Sequence, residues 1–213
     1  MQMRLSTHRL LACMAVVVLA GLPRVAAADE WDSCVKLSDD LAVAGFSRAI
    51  DSHQYTGRSL ARLYARRGGA YQTQGDLSHA MADFNESMRI DPTYPSAYNN
   101  RGNTWYRRGD FDRAIADYNQ AIQLDPKYGS AYVNRGSALG AKGDLDRAIA
   151  DFDQAIRLDP KDTKAYYNRG MAWEKKRSLQ AALADFKMHS QLAPSDLDGL
   201  TAVKRVSKEL SAR

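Results

Sequence analysis

The chain is poor in the residues that build disulfide scaffolds and metal sites, because its 213 residues include only two cysteines and four histidines. Two cysteines cannot form the bridge framework of a small secreted domain. No histidine lies near a second ligand at metal-binding spacing, so we expect no metal site and no cofactor. The 26% charged and 45% hydrophobic content excludes wholesale disorder. The histidines are His8, His53, His79 and His189.

Long apolar runs are equally scarce, and the clearest one has 13 residues, from Leu10 to Leu22. It follows Arg4 and Arg9 and is too short to span a hydrocarbon core of about 30 Å, which takes about 20 helical residues. Small residues ending at Ala28 complete the pattern of a signal peptide. We therefore predict a signal peptide over residues 1–28, cleaved near Ala28, and a periplasmic or secreted mature chain with no transmembrane segment.

A second interpretation of this segment is a lipobox, Leu10 to Cys13, in which Cys13 would become a lipidated N-terminus. It is disfavoured because a lipobox should end the apolar region, whereas this run continues for nine residues past Cys13. An uncleaved anchor helix is disfavoured because the run is too short.

Neither sign of charge is in large excess. The chain carries 30 Lys and Arg against 25 Asp and Glu, a net charge of +5. Removal of residues 1–28 deletes Arg4, Arg9 and Arg24 and no acidic residue, which lowers the net charge to +2. Binding that depends on neutralising phosphates therefore has little support, and we expect no nucleic-acid partner.

Four of the six prolines recur every 34 residues, and other residues follow the same step. A period of this length marks a stacked array of supersecondary units. We assign four repeats, 61–94, 95–128, 129–162 and 163–196. The recurring residues are Pro92, Pro126, Pro160 and Pro194; Gly68, Gly102, Gly136 and Gly170; Ala80, Ala114, Ala148 and Ala182; and the aromatic set Phe84, Tyr118, Phe152 and Phe186.

Each repeat has the pattern of two antiparallel helices, and the second repeat illustrates it. Gly109 provides the positive φ that ends a first helix, and Asp110 is expected to cap the second. Asp125-Pro126 ends that helix, because a proline disfavours helical geometry in the residue before it. The recurring Gly and Ala residues are predicted where helices approach closely. The chain should be all-α, with units that bury their apolar faces by stacking.

On these residues the sequence resembles the tetratricopeptide repeat, or TPR, across about two thirds of the chain. The resemblance implies a solenoid of antiparallel helix pairs forming a right-handed superhelix, whose first helices line a concave groove. One departure from the family pattern is Leu139 in place of an aromatic residue. Another is Arg177-Ser178 in place of Gly-Asp, in the turn of the fourth repeat.

The segments beside the repeats have the pattern of caps, which a stacked array needs at both ends. Residues 29–60 resemble a degenerate helix pair, joined to the first repeat by a linker, Asp51 to Arg58, that is four residues longer than elsewhere. Residues 197–213 are predicted to form a capping helix. Its apolar stripe would be Leu197, Leu200, Val203, Val206 and Leu210.

Cys34 is the one thiol left in the predicted mature chain. Exported bacterial TPR proteins that resemble this start often carry a second cysteine where this chain has Phe46, so Cys34 would lack a partner. Burial as a small apolar residue is favoured, and a disulfide-linked homodimer is the alternative. Gel mobility under non-reducing conditions that is unchanged by Cys34→Ser would exclude the dimer.

The sequence shows no pattern of catalysis. Carboxylate pairs recur at equivalent helix starts, where acidic residues cap helices and favour the helix dipole. No glycine-rich phosphate loop and no nucleophile motif is present, so we expect the protein not to be an enzyme. The pairs are Asp110 and Asp112, Asp144 and Asp146, and Asp151 and Asp153.

Two sets of polar residues also recur with the repeat. We expect Arg67, Arg101, Arg135 and Arg169 to pair with Asp83, Asp117, Asp151 and Asp185 and to link the helices. The asparagines Asn100, Asn134 and Asn168 resemble the backbone-gripping ladder of O-GlcNAc transferase and one member of the co-chaperone carboxylate clamp. A side-chain amide can satisfy the backbone of an extended peptide. A hydrogen bond to the neighbouring repeat is the alternative, and both stay open.

The resemblance places further residues in the groove, with five cations against one anion, so an acidic ligand is expected. The full carboxylate clamp is not reproduced, because a lysine is missing. Small residues of the third repeat leave room for a bulky side chain: Ser130, Ser137, Gly140 and Ala141. The predicted peptide-binding residues are Asn100, Asn134, Asn168, Asn103, Arg62, Arg66, Arg107, Lys164 and Lys175, with Asn99, Tyr106, Tyr167, Met171 and Glu174 beside them.

These patterns together predict a non-catalytic protein-protein interaction module. It would bind an extended, acidic peptide or a partner protein in its concave groove. The alternative is a self-associating structural scaffold of the cell envelope, whose groove is filled by a neighbour's helix or terminus.

Overall fold

The computed structural model describes residues 39–212, which form ten α-helices and no strand. The predicted all-α fold is confirmed, whereas the predicted signal peptide and Cys34 lie outside the described residues. Within them, no helix combines the length and the apolar character that a membrane crossing requires. The helices are α1 Asp39–Asp51, α2 Gly57–Thr73, α3 Leu77–Ile90, α4 Pro95–Arg107, α5 Phe111–Leu124, α6 Gly129–Ala141, α7 Leu145–Leu158, α8 Thr163–Lys175, α9 Leu179–Leu192 and α10 Leu197–Ser211.

Four helix pairs follow one another from α2 to α9, and each pair packs on the next. In the first three pairs an aspartate caps the second helix, because its carboxylate accepts a hydrogen bond from the backbone N–H three residues later. The residue before that aspartate is a glycine with a φ between +78° and +88°. The predicted turn chemistry is therefore present. The capping residues are Asp76, Asp110 and Asp144, after Gly75, Gly109 and Gly143.

The two helices of each pair approach closely at one glycine of the first helix. A Cβ placed on Gly102 would lie 2.6 Å from Cε1 of Tyr118. The equivalent glycines of the other repeats lie against Phe84, Phe152 and Phe186, at 2.7 to 2.8 Å from the nearest ring carbon by the same measure. All four rings are at most 2% exposed. Any larger residue at these glycines would push the helices apart, as the sequence predicts.

The first helices form the inner surface of the array. Those of consecutive repeats contact one another, α2 with α4, α4 with α6 and α6 with α8, whereas neighbouring second helices contact each other less. A layer of helices curves toward the side on which its members lie closer together. The concave surface is therefore built by α2, α4, α6 and α8, and we call it the groove.

The extra residues before the first repeat lengthen α2 more than they lengthen the linker. α2 has 17 residues, whereas α4, α6 and α8 have 13 each. In the additional turn, Nε of Arg58 donates to Asp91 at 2.7 Å and Nη2 donates to Thr93 at 3.1 Å. The linker is thus shorter than predicted, because these residues find partners in the turn after the first repeat.

The C-terminal helix α10 packs on α9 through Gly199, Ala202 and Val206, which are buried. The predicted one-sided apolar stripe is wrong at its start, because Leu197 is 73% exposed and Leu200 is 39% exposed. Lys204 stands where each repeat has its close-approach glycine. A further second helix could not approach α10 as closely as the second helices approach the first helices in the repeats.

At the contact between α9 and α10, one residue is larger than its equivalent in the preceding repeats, and the residue that faces it is smaller. His189 occupies the place that Ala121 and Ala155 have in the preceding repeats, and it is 4% exposed. Its Nδ1 lies 2.9 Å from the carbonyl oxygen of Thr163. Gly199 replaces an alanine at the facing position, and any Cβ there would collide with the imidazole ring. The larger side chain is therefore accommodated by a loss of volume opposite.

The turn of the fourth repeat keeps its backbone path despite the altered sequence. Arg177 adopts a φ of 63° in the place of the glycine. The N–H of Ser178 donates to the carbonyl of Trp173 at 3.0 Å, as Asp110 does to Trp105. Ser178 makes no side-chain cap. The departure from the family pattern thus adds backbone strain and removes a cap, and it leaves the path of the chain unchanged.

Candidate functional site

One arginine of each first helix forms a bidentate ion pair with an aspartate of the second helix of the same repeat. Nε and Nη2 of Arg101 donate to the carboxylate of Asp117 at 2.8 and 2.6 Å. The hydrogen bonds raise the pKa of Arg101 above its usual value. The predicted pairing is confirmed in all four repeats, and we call the four pairs the arginine ladder: Arg67 with Asp83, Arg101 with Asp117, Arg135 with Asp151, and Arg169 with Asp185.

The third nitrogen of each ladder arginine reaches the second helix of the preceding unit. Nη1 of Arg101 donates to Asn85 at 2.7 Å, and Nη1 of Arg135 donates to Asn119 at 2.7 Å. Nη1 of Arg169 donates to Asp153 at 2.6 Å. Each of these arginines therefore fastens three helices. The four ladder aspartates are at most 6% exposed. These charges hold the repeats together and are not available to a ligand.

The predicted asparagine ladder lies on the first helices and forms hydrogen bonds between repeats. Nδ2 of Asn134 donates to Oδ1 of Asn99 at 2.9 Å, and Nδ2 of Asn168 donates to Oγ of Ser137 at 3.2 Å. Asn100 accepts a hydrogen bond from Asn99 at 3.2 Å. The ladder amides are half-buried, and each keeps donor or acceptor capacity beyond these bonds. The structural role is present, and a ligand role remains compatible with it.

Two further asparagines of the predicted groove are occupied by contacts within the fold. Asn99 is 4% exposed. Asn103 accepts a hydrogen bond from the hydroxyl of Tyr118 at 2.8 Å. Burial raises the pKa of Tyr118, so this hydroxyl stays protonated and requires an acceptor. Asn103 therefore satisfies a buried hydroxyl that the phenylalanines of the other repeats do not have.

The predicted groove cations differ in their surroundings. Arg62, Lys164 and Lys175 are exposed, and their side chains make no hydrogen bond or ion pair within residues 39–212. Arg107 is exposed and donates to the backbone carbonyl of Gln72. Arg66 is half-buried and has an interaction partner of its own. Three predicted cations are thus unpaired on the first helices.

Sequence reasoning missed the side chains that bridge consecutive first helices. Nε2 of Gln72 donates to Oγ1 of Thr104 at 2.9 Å and to the carbonyl of Asn100 at 3.2 Å. Arg205 donates to both carboxylate oxygens of Glu174 at 2.9 and 2.7 Å. Gln72 and Glu174 share one place in the repeat. The sequence does contain a signal for these bridges, because each side chain has a polar residue about one repeat further along the chain, Thr104 for Gln72 and Arg205 for Glu174.

Charge is divided between the two layers of helices. The four groove helices contain ten Lys and Arg and a single acidic residue, Glu174, which Arg205 neutralises. Acidic side chains lie instead on the second helices, where the ladder arginines bind four of them. The groove therefore keeps unpaired positive charge on a chain whose net charge is small.

The described residues contain no group of three or more His, Cys, Asp and Glu that could hold a metal ion. The carboxylates that recur at helix starts have structural partners. Asp110 and Asp144 cap helices, and Asp112 and Asp146 form ion pairs with Lys142 and Lys176 of the following turns. Their arrangement is that of caps and surface pairs.

Three family models, each described as a tetratricopeptide repeat, match this chain. They cover residues 61–94, 95–128 and 133–196, which together are more than half of its length. This chain is a tetratricopeptide-repeat protein. Among curated protein sequences, none matches it significantly.

Solved TPR structures share the fold. The thermophilic TPR protein TTC0263 of Thermus thermophilus is 18% identical, with a TM-score of 0.66 over 94% of this chain and 97% of that one. YrrB, described as a TPR protein with an unusual peptide-binding site, is 20% identical, with a TM-score of 0.62 over 79% and 84%. The first TPR of Spaghetti (RPAP3), bound to the HSP90 peptide SRMEEVD, is 26% identical, with a TM-score of 0.55 over 58% and 98%.

Proposed function

We propose that this TPR protein is a non-catalytic module that binds an extended, acidic segment of another polypeptide in the groove. The observation that carries the proposal is that Arg62, Lys164 and Lys175 of the groove helices are exposed and unpaired within residues 39–212. The one carboxylate of these helices, Glu174, is neutralised by Arg205. Similar folds support it, because the Spaghetti (RPAP3) domain was solved with a peptide and YrrB is described with a peptide-binding site.

The asparagine ladder would grip the ligand's backbone, and the unpaired cations would select its charge. Three amide contacts at roughly 0.5 to 1.5 kcal/mol each give only a few kcal/mol. Micromolar affinity requires about 8 kcal/mol. The backbone contacts therefore cannot suffice, and the cations Arg62, Arg107, Lys164 and Lys175 are assigned the remaining selectivity.

The ladder is tested by replacing Asn100, Asn134 and Asn168 together with alanine. We expect weaker capture of partners from the native envelope fraction, compared by mass spectrometry, with helical content retained in circular dichroism. The matched control removes three exposed amides of the second helices that make no side-chain hydrogen bond within residues 39–212, Gln123, Gln180 and Gln191. Capture that is unchanged in the ladder variant would show that these asparagines serve the fold alone.

A self-associating scaffold is the competing function. Lys204 disfavours end-to-end continuation of the array, because it replaces the glycine that a further helix pair needs. Light scattering separates the two functions. A mass that does not change with concentration is expected for the binding module, and a mass that rises with concentration would favour the scaffold.

We also propose that the protein acts outside the cytoplasm, in the periplasm or after secretion. The support is the signal-peptide pattern of residues 1–28. The intact mass of the protein recovered from the envelope fraction should correspond to a chain that begins at Asp29. A mass that retains Met1 would contradict cleavage.

A further inference from the structure

Resting on the proposed groove function, we infer that the preferred ligand is an extended segment with acidic groups near both of its ends and an uncharged centre. The exposed cations of the groove lie on α2 and α4 and on α8. The helix between α4 and α8, α6, contributes none.

At one end, the exposed cations are Arg62 on α2 and Arg107 on α4. At the other end they are Lys164 and Lys175, both on α8. None of these four forms an ion pair within residues 39–212. Arg62, Lys164 and Lys175 can each meet a carboxylate of a ligand, and Arg107 can do so with the guanidinium nitrogens that do not donate to Gln72.

Between these two groups of cations lies α6, which contains one charged residue, Arg135. That arginine is committed to Asp151, with hydrogen bonds of 2.6 and 2.8 Å. The remaining residues of α6 are uncharged, and many are small. An acidic group placed over α6 would find no unpaired cation, whereas an uncharged side chain would lose nothing.

The spacing of the helices sets the length of the ligand. Packed helices lie about 8–10 Å apart. Two such steps separate α4 from α8, and three separate α2 from α8, which gives about 16–30 Å. An extended chain advances about 3.3 Å per residue. The acidic groups of the ligand should therefore lie about five to nine residues apart.

The test uses three synthetic peptides of about nine residues with one composition, four glutamates among serines and alanines. The glutamates lie two at each end, or all at the centre, or all at one end. Binding to the mature chain is measured by fluorescence anisotropy. We expect the two-ended peptide to bind about fivefold tighter than the others, and its advantage to shrink as ionic strength rises.

Arg62→Ala combined with Lys164→Ala should remove the advantage of the two-ended peptide. The control combines Lys127→Ala with Lys161→Ala, because these exposed lysines of the turns between repeats make no side-chain hydrogen bond or ion pair within residues 39–212. Equal binding of all three peptides, still lost in the asparagine-ladder variant, would overturn the charge placement and leave the groove function intact. Failure of all three peptides to bind at millimolar concentration would contradict peptide binding in the groove itself.

Discussion

The first helices carry positively charged side chains on two faces. On one face these side chains are paired within the fold, and on the other face three of them are not. Toward the second helices, each ladder arginine is held by a buried aspartate and by a side chain of the preceding unit. Toward the groove, Arg62, Lys164 and Lys175 have no partner within the described residues. The number of cations on a surface therefore does not identify a binding surface. The identifying feature is a cation that the fold has not paired.

The largest effect is a loss of unfolding free energy, and we expect it from Arg101→Ala in the arginine ladder. This change leaves Asp117, 6% exposed, without its charge partner. Removing one member of a buried pair costs about 3–5 kcal/mol, and the partial exposure of the arginine reduces the expected loss of unfolding free energy to about 2–3 kcal/mol. Urea unfolding followed by circular dichroism measures it.

Lys175→Ala is the matched change on the groove face of the same array. An exposed, unpaired lysine contributes little to stability, so we expect a change within about 0.5 kcal/mol. Similar losses of stability from Arg101→Ala and Lys175→Ala would remove the distinction between the two faces.

An intermediate effect on stability is expected from substitutions at two adjacent glycines of α2. A Cβ on Gly68 would lie 2.8 Å from Cε1 of Phe84 and 3.1 Å from the backbone oxygen of Ala80, whereas a Cβ on Gly69 would meet nothing within 4 Å. Gly68→Ala should therefore destabilise by about 1–3 kcal/mol. Gly69→Ala should stabilise by up to about 1 kcal/mol, because alanine favours the helix. Thermal unfolding of both variants compares them, and the same sign for both would contradict the packing.

The smallest effect concerns the one carboxylate of the groove helices. Glu174→Gln removes the anion that neutralises Arg205 and so adds an unpaired cation beside Lys175. The affinity for an acidic peptide should rise about twofold to threefold, the size of one exposed charge pair. Affinity for an uncharged peptide should stay the same. Weaker binding of the acidic peptide would mean that Arg205 and Glu174 position the groove together.

The fold was predictable because its constraints are local and repeated. The glycine and aromatic residues spaced by 34 positions lie against each other as expected. The turn residues between the helices keep their geometry, even at Arg177. Predictions failed at the ends, where a residue lacks the neighbours that a repeat would give it. Leu197 and Leu200 are exposed because no second helix follows α10 within the described residues.

The groove was less predictable than the fold, because its side chains depend on partners in other repeats. Asn103 accepts a hydrogen bond from the hydroxyl of Tyr118. The equivalent aromatic residues of the other three repeats are phenylalanines, which have no hydroxyl. Asn99 is buried beneath Asn134. Glu174 is neutralised from α10, outside the repeats. Position within one repeat identifies the helix face, but it does not identify which groups remain unpaired.

The most direct test of the central claim observes the ladder amides while a ligand binds. The side-chain NH₂ signals of Asn100, Asn134 and Asn168 are followed by nuclear magnetic resonance as the two-ended acidic peptide is added. Ligand binding in the groove predicts that these signals shift in proportion to occupancy, while those of Gln123 and Gln191 on the second helices stay in place. Binding that leaves the three asparagines unchanged, or that shifts the glutamines instead, would contradict it.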